Sequence, residues 1–369
     1  MSDAQQSRRI RLAVIFGGQS DEHDVSIRSA QTVFDAVDGD RYEVVPIGIT
    51  REGQWVVSGD PLAALRQASD ELSLSDGDGA DAVGEIETLA PVTGAMALTG
   101  NSQQPIDVVF PVLHGPFGED GSIQGLFEVA GVPYVGSGVL GSAVAMDKAM
   151  TKQVLEQAGI PQLPWQLVNR GDIQDHAELV ADRIAETIGF PCFIKPANLG
   201  SSVGISRVAE RGDLVSALNE AAYYDRRVVV EKGVDAREIE MSVLGNDDPI
   251  ASVAGEVVPL GGFYDYNAKY IDNTTDLVIP AKLDPSILGF LQEMAIDVFR
   301  ALDLSGMARV DFFIERGTDH IYLNEVNTLP GFTSISMYPM LWEASGVPLP
   351  ELIDRLVGLA LERHGERKR

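Results

Sequence analysis

The chain has 369 residues, 45% hydrophobic and 22% charged, the balance of a globular protein of two or three domains. Its net charge of −27 argues against nucleic acid as a partner, and it requires that any anionic ligand be met by locally placed Lys, Arg or metal. No apolar run approaches the roughly 18 residues that cross a bilayer, and the one cysteine, Cys192, cannot form an internal disulfide, so the sequence favours the cytoplasm without a membrane partner.

In chain order, "IRLAVIFGG" (10–18) reads as a buried strand running into a glycine turn. The basic residues before it do not make it a secretory leader, because the apolar stretch is too short. A helical pattern over 26–37 and a strand over 42–50 follow, and this β-α-β order predicts a parallel sheet. Residues 68–84 are rich in Asp, Ser and Gly and read as a surface excursion. Strand character returns over 106–115. The stretch 146–161 reads as one helix stopped by Gly159 and Pro161, and it opens a second unit. Strands are expected over 191–196, 204–208 and 226–234. A third unit starts near 237, with strands over 308–316 and 319–327 and a closing helix over 350–364. The expected domains are 1–145, 146–236 and 237–369.

Chemistry concentrates at five places. In "KPANLGSSVGI" (195–205) a lysine ends a strand and a glycine-rich turn follows. Such a turn lets backbone N–H groups approach phosphate oxygens, although a plain hairpin turn would look the same. The order is not that of a Walker loop.

"RVDFFI" (309–314) and "YLNEVN" (322–327) form a candidate hairpin. Alternate strand residues share a face, so Arg309 pairs with Asp311 and Glu325 with Asn327. Three hard oxygen ligands suit Mg²⁺; the bland alternative is a salt-bridged hairpin.

At the end of the first strand, "GGQSDEHDVS" (17–26) places Glu22 where open α/β sheets bind ligands. Ser26 is expected to cap the helix that follows. "HGPFGEDGSIQG" (114–125) puts His114 at another strand end, as a candidate substrate contact or simply part of a tight loop. "GGFYDYNAKYIDNTTD" (261–276) has no periodicity and reads as a lid. The five histidines are scattered, which disfavours a zinc site.

Taken together and in order, these segments resemble the D-alanine–D-alanine ligase family of the ATP-grasp superfamily, from Gly17 to about Pro339. The resemblance implies an α/β fold, α+β in part, with three domains. A Rossmann-like parallel-sheet domain comes first, and two further domains clasp ATP between antiparallel sheets. It implies ATP, two molecules of D-alanine, Mg²⁺ or Mn²⁺ (two ions) and a homodimer.

By motif, Lys148 and Lys195 resemble the phosphate-binding lysines. Glu231, Lys232 and Val234 resemble the adenine hinge, and Glu238 the ribose contact. Asp311, Glu325 and Asn327 resemble the metal ligands. Glu22 resembles the acceptor of the first substrate's ammonium group, with Ser201 and Tyr270 as its hydrogen-bonding partners. Arg309 and the Gly331 N–H resemble the oxyanion stabilisers. Lys269 resembles the lid's phosphate contact, and Ser336 the holder of the second substrate's carboxylate.

Rival readings are another ATP-grasp ligase, such as one making D-alanyl-D-lactate, and a nucleotide-binding regulator without chemistry. A dinucleotide oxidoreductase is excluded by the missing G-x-G-x-x-G.

Overall fold

The computed structural model describes residues 8–74, 88–89, 98, 105–200, 203–259 and 275–366. The chain divides into two compact units. One comprises 1–139, 305–307 and 329–369, and the other 140–304 and 308–328.

The first unit is built on β1 (Ile10–Gly17), an unbroken apolar run whose residues Leu12 to Phe16 are fully buried. A strand buried on both faces reads this way when helices cover a parallel sheet. β1 lies between β2 (Tyr42–Ile49) and the later β5 (Val108–Pro111), parallel to both. Two short strands, β3 (Trp55–Val56) and β4 (Thr88–Leu89), extend the sheet antiparallel from β2. The order is β4-β3-β2-β1-β5, so the expected parallel sheet is the centre of a mixed one. β5 ends at Pro111 rather than at 115, and Val112 N still donates to Ile15 O at 2.9 Å.

The closing helix, Leu349–Glu366, packs in this unit against β5 and the helix His23–Ala36. Asp354 accepts a hydrogen bond from the Tyr42 hydroxyl at 2.7 Å. The Arg363 guanidinium donates to the carbonyls of Gly136 and Tyr134 at 2.6 and 3.1 Å.

The helix His23–Ala36 starts earlier than the periodicity predicts, and Ser26 lies inside its first turn. Ser26 is therefore not the cap. Its fully buried hydroxyl accepts from Gly17 N at 2.8 Å and donates to Val112 O at 2.6 Å, tying the ends of β1 and β5 together. Gly17 has φ +89°, and a Cβ there would sit 2.1 Å from Ile49 O, so no other residue fits this turn.

The second unit holds two sheets. β6 (Trp165–Asn169), β7 (Cys192–Pro196), β8 (Ser206–Val208) and β9 (Arg227–Lys232) pair antiparallel in the order β6-β9-β7-β8. Helices Arg170–Thr187 and Arg211–Tyr224 supply Ile184, Leu214 and Leu218 to a core with Cys192, Ile194 and Val230. The thiol of Cys192 is buried.

The other sheet has the order β12-β11-β10-β13-β14, from β10 (Ala236–Gly245), β11 (Ile250–Pro259), β12 (Thr275–Val278), β13 (Gly306–Glu315) and β14 (Ile321–Asn327). Helix Pro285–Ala301 buries Leu291, Met294, Val298 and Phe299 against Ile239, Met241, Val310 and Phe312.

The helix expected over 146–161 is Lys148–Gln157, and a separate helix, Val139–Met146, precedes it. Asp147 parts them with extended backbone, and its carboxylate accepts from Ala149 N and Met150 N at 3.1 and 3.0 Å. This is the N-cap arrangement that starts a helix, and it puts Lys148 at the first helical position.

Of the expected lid, only Thr275 and Asp276 are described residues, at the start of β12. Ser201, Lys269 and Tyr270 lie outside the described residues. Among the described residues no helix is long and apolar enough to cross a membrane.

Candidate functional site

The second unit gathers most of the residues singled out by the sequence. On β13 and β14 the register sets Arg309 opposite Asn327 and Asp311 opposite Glu325. All four fall at alternate positions, as the strand period predicts, and a register shift follows directly after Asp311. Asp311 is 6% exposed. Its Oδ1 accepts from Arg309 Nε at 2.8 Å, and its Oδ2 accepts from Arg309 Nη2 at 2.7 Å and Asn327 Nδ2 at 3.0 Å. Arg309 Nε also lies 2.9 Å from Glu240 Oε2, an ion pair across to β10. Burial works against the charge on Arg309, but Asp311, Glu240 and Glu325 overcome it and hold the guanidinium firmly protonated.

These residues suit a hard divalent cation. They offer two carboxylates and one amide on directly paired strand positions, the oxygen-rich donor set of Mg²⁺. Rotating the Asn327 amide by half a turn exchanges its nitrogen for its oxygen, an ambiguity common to such groups. Among the described residues no three His, Cys, Asp or Glu side chains group as a metal site.

A second cluster lies on the β6–β9 sheet. Glu231 of β9 is 1% exposed and holds two ammonium groups. Lys195 Nζ bonds its Oε2 at 2.6 Å, and Lys152 Nζ bonds its Oε1. Phe193 is the direct partner of Glu231 in the β7–β9 ladder, so Lys195, two residues on, reaches Glu231 diagonally on the same face. Burial alone would raise the Glu231 pKa, but the two lysines hold it at about 2. Lys195 is pushed the other way: burial opposes its charge, and Glu231, Glu325 and Glu238 raise its pKa above the ordinary value.

Lys148 donates from its backbone N to Ala197 O at 2.8 Å and from Nζ to Leu199 O. It therefore stands over the glycine-rich turn between β7 and β8. In that turn Gly204 has φ +68°, and a Cβ would strike the Tyr224 ring at 2.6 Å.

Lys232 donates from Nζ to Phe190 O at 2.9 Å. Val234 is half-buried between β9 and β10, and Glu238 is half-buried on β10 opposite Val257.

The first unit carries its own set. Glu22 stands at the N-cap position of the helix His23–Ala36, half-buried, with Oε2 3.8 Å from the place a Cβ on Gly115 would take. His114 is buried, with Nδ1 3.0 Å from Leu329 O. Glu119 accepts from Gly115 N at 2.8 Å and from Leu329 N at 3.1 Å. His114 and Glu119 thus hold both backbone groups of Leu329, two residues before Gly331.

A Cβ on Gly331 would meet Ser336 Oγ at 2.8 Å, so the two sit against each other. Ser336 Oγ accepts from Thr333 N at 3.0 Å and contacts Thr333 Oγ1 at 2.7 Å.

Sequence reasoning missed Lys152, Glu240 and Glu119. Lys152 had a signal, since it follows Lys148 by four residues on one helical face. Glu240 likewise follows Glu238 by two on one strand.

Comparison with known proteins fits this arrangement. Family models described as D-ala D-ala ligase N-terminus and D-ala D-ala ligase C-terminus match residues 11–137 and 154–358. A curated relative named D-alanine--D-alanine ligase, from Geobacillus kaustophilus, is 49% identical over 361 residues, covering 98% of this chain and 97% of its own. Two solved structures align over nearly all of both chains. The D-alanine-D-alanine ligase of Coxiella burnetii has 36% identity and a TM-score of 0.79, covering 98% of this chain and 96% of its own. The VanG D-Ala:D-Ser ligase of Enterococcus faecalis has 35% identity and a TM-score of 0.81, covering 96% of this chain and 100% of its own.

Proposed function

Because the chain belongs to the D-alanine–D-alanine ligase family, we propose that it joins two molecules of D-alanine at the expense of ATP, to make the dipeptide used in peptidoglycan precursors. The observation that carries this reading is the β13–β14 register, which sets Arg309 and Asp311 directly against Asn327 and Glu325. A nucleotide-binding regulator has no need of that set.

A carboxylate is a poor electrophile. A carboxylate oxygen of the first D-alanine attacks the γ-phosphorus of ATP, ADP leaves, and an acyl phosphate results. The amine nitrogen of the second D-alanine attacks the acyl carbon, phosphate leaves with the bonding pair, and the nitrogen loses a proton. Glu22 receives the ammonium group of the first substrate; Ser201 and Tyr270, which lie outside the described residues, are its proposed hydrogen-bonding partners. His114 contacts substrate, and Ser336 holds the second carboxylate.

Lys148, Lys195 and Lys269 take the phosphates, Glu231, Lys232 and Val234 the adenine, and Glu238 the ribose. Arg309 and the Gly331 N–H stabilise the oxyanion of the second step. Asp311, Glu325 and Asn327 would hold two Mg²⁺ or Mn²⁺ ions, whose charge neutralises the phosphates and polarises the phosphoryl group. Water must be kept from the site, because it would hydrolyse the acyl phosphate; the segment proposed for this role, 261–276, lies mostly outside the described residues.

The domain borders proposed for this machinery fall at 145/146 and 236/237. In the same reading the enzyme works as a cytoplasmic homodimer.

The test is phosphate release from ATP with and without D-alanine, with the products separated. Release that requires D-alanine and yields the dipeptide supports the reading. Release indifferent to D-alanine, or none, overturns it.

A further inference from the structure

The Lys152–Glu231–Lys195 cluster buries two ammonium groups on one carboxylate. Lys152 is 4% exposed and Glu231 1%. Lysine is almost never buried without a partner, and one carboxylate fully pairs only one cation. The cluster is therefore one negative charge short, although Glu238 and Glu325 act on Lys195 from a longer range.

The two lysines are not equivalent. Lys152 comes from the helix Lys148–Gln157, and its own carbonyl accepts from Gln162 Nε2 at 2.9 Å, which fixes the backbone that carries it. Lys195 is the penultimate residue of β7, before the glycine-rich turn, and its side chain is more exposed than that of Lys152, 14% against 5%.

We infer that Lys152 is a positioning residue: it is the resident counter-ion of Glu231, and its charge leaves Lys195 available to a nucleotide phosphate. This rests on the nucleotide reading of the site given above. If Lys152 were absent, Glu231 would have Lys195 as its one close cation among the described residues. Moving Lys195 to a phosphate would then strand a buried carboxylate, which is strongly unfavourable. With Lys152 in place the carboxylate stays paired, and Lys195 moves between two anions at little cost.

The experiment measures ADP binding in the presence of Mg²⁺ by titration calorimetry, together with the KM for ATP and for D-alanine. Lys152→Met should weaken ADP binding by roughly tenfold or more and raise the KM for ATP alike, leaving the KM for D-alanine within about twofold.

Lys152→Arg and Lys152→Gln separate charge from bulk, and they serve also if Lys152→Met does not fold. The arginine variant should bind ADP nearly as the wild type does, and the glutamine variant about tenfold more weakly.

Unchanged ADP binding in Lys152→Met, or equal binding by the arginine and glutamine variants, overturns the inference and leaves the ligase reading intact. A wild type that binds no ADP removes both.

Discussion

Arg309 meets the Asp311 carboxylate with two near-parallel bonds, Nε to Oδ1 at 2.8 Å and Nη2 to Oδ2 at 2.7 Å. This forked pairing fixes orientation as well as charge, and lysine cannot reproduce it. Asp311 also accepts from Asn327, and Arg309 also meets Glu240, so the pair sits in the middle of a four-residue network.

The first prediction separates the network's structural role from its chemistry. Arg309→Met leaves Asp311 and Glu240 buried without their cation and should destabilise the protein by about 3–5 kcal/mol. Arg309→Lys keeps the charge, so most of the stability should remain while turnover collapses. Urea unfolding and steady-state rates on both variants provide the check. Wild-type turnover in Arg309→Lys would remove Arg309 from the chemistry.

The outer pair of the hairpin tests the metal assignment. Glu325→Ala and Asn327→Ala should each lower turnover more than roughly 100-fold at limiting Mg²⁺, beyond what loss of an outer-shell partner costs. Cooperative unfolding should persist. Activity close to wild type in both variants contradicts the assignment.

Acid stability should report on Glu231. Two ammonium groups depress its folded pKa to about 2 against an ordinary 4.5, after overcoming the opposite effect of burial. A depressed carboxylate contributes stability that is complete above the unfolded pKa and lost as pH falls towards the folded one. Between pH 4.5 and 2 the wild type should therefore lose stability that Glu231→Gln does not lose, a difference of a few kcal/mol. Parallel pH–stability curves over that interval would refute this.

Ser26 offers a test outside the chemistry. Ser26→Ala unties Gly17 N and Val112 O, both in the first unit, and should cost about 1–3 kcal/mol. The KM for ATP should not change. A Tm equal to the wild type's would mean that other groups hold the two strand ends.

Acceptor choice can be read in one competition. With equal D-alanine and D-lactate the product should be mainly the dipeptide, and its share should rise with pH into the mildly alkaline range. The attacking amine must be neutral, whereas free D-alanine is mostly ammonium at neutral pH. Mostly ester at neutral pH would mean a different acceptor, although the ligase class would survive.

Strand chemistry was the legible part of this chain. Arg309, Asp311, Glu325 and Asn327 could be grouped because the two-residue period is local and the turn between the strands is short. The buried run Leu12 to Phe16 announced a central parallel strand for the same reason. What escaped was set by distance or by single side chains. Glu231 lies far along the chain from Lys152, and no periodicity connects them. Asp147 looked like part of one helix because its capping bonds depend on a backbone turn that composition does not encode. Ser26 has the residue type of a cap, but its hydroxyl is used across the sheet. The two-residue strands β3 and β4 are too short to leave a pattern.

The first unit also has a temporal consequence. Its sheet is complete in sequence by Pro111, yet Phe332 packs edge-on against Phe110 at 5.4 Å between ring centroids, and Arg363 sits 4.2 Å from the centre of the Tyr134 ring. About 240 residues separate β5 from the helix that covers it. A ribosome adding about 5–20 residues per second takes on the order of 10–50 s to bridge that gap. For that interval the nascent sheet waits with an apolar flank open, and a chaperone that binds such surfaces has its opportunity there, before the last helix arrives to close it.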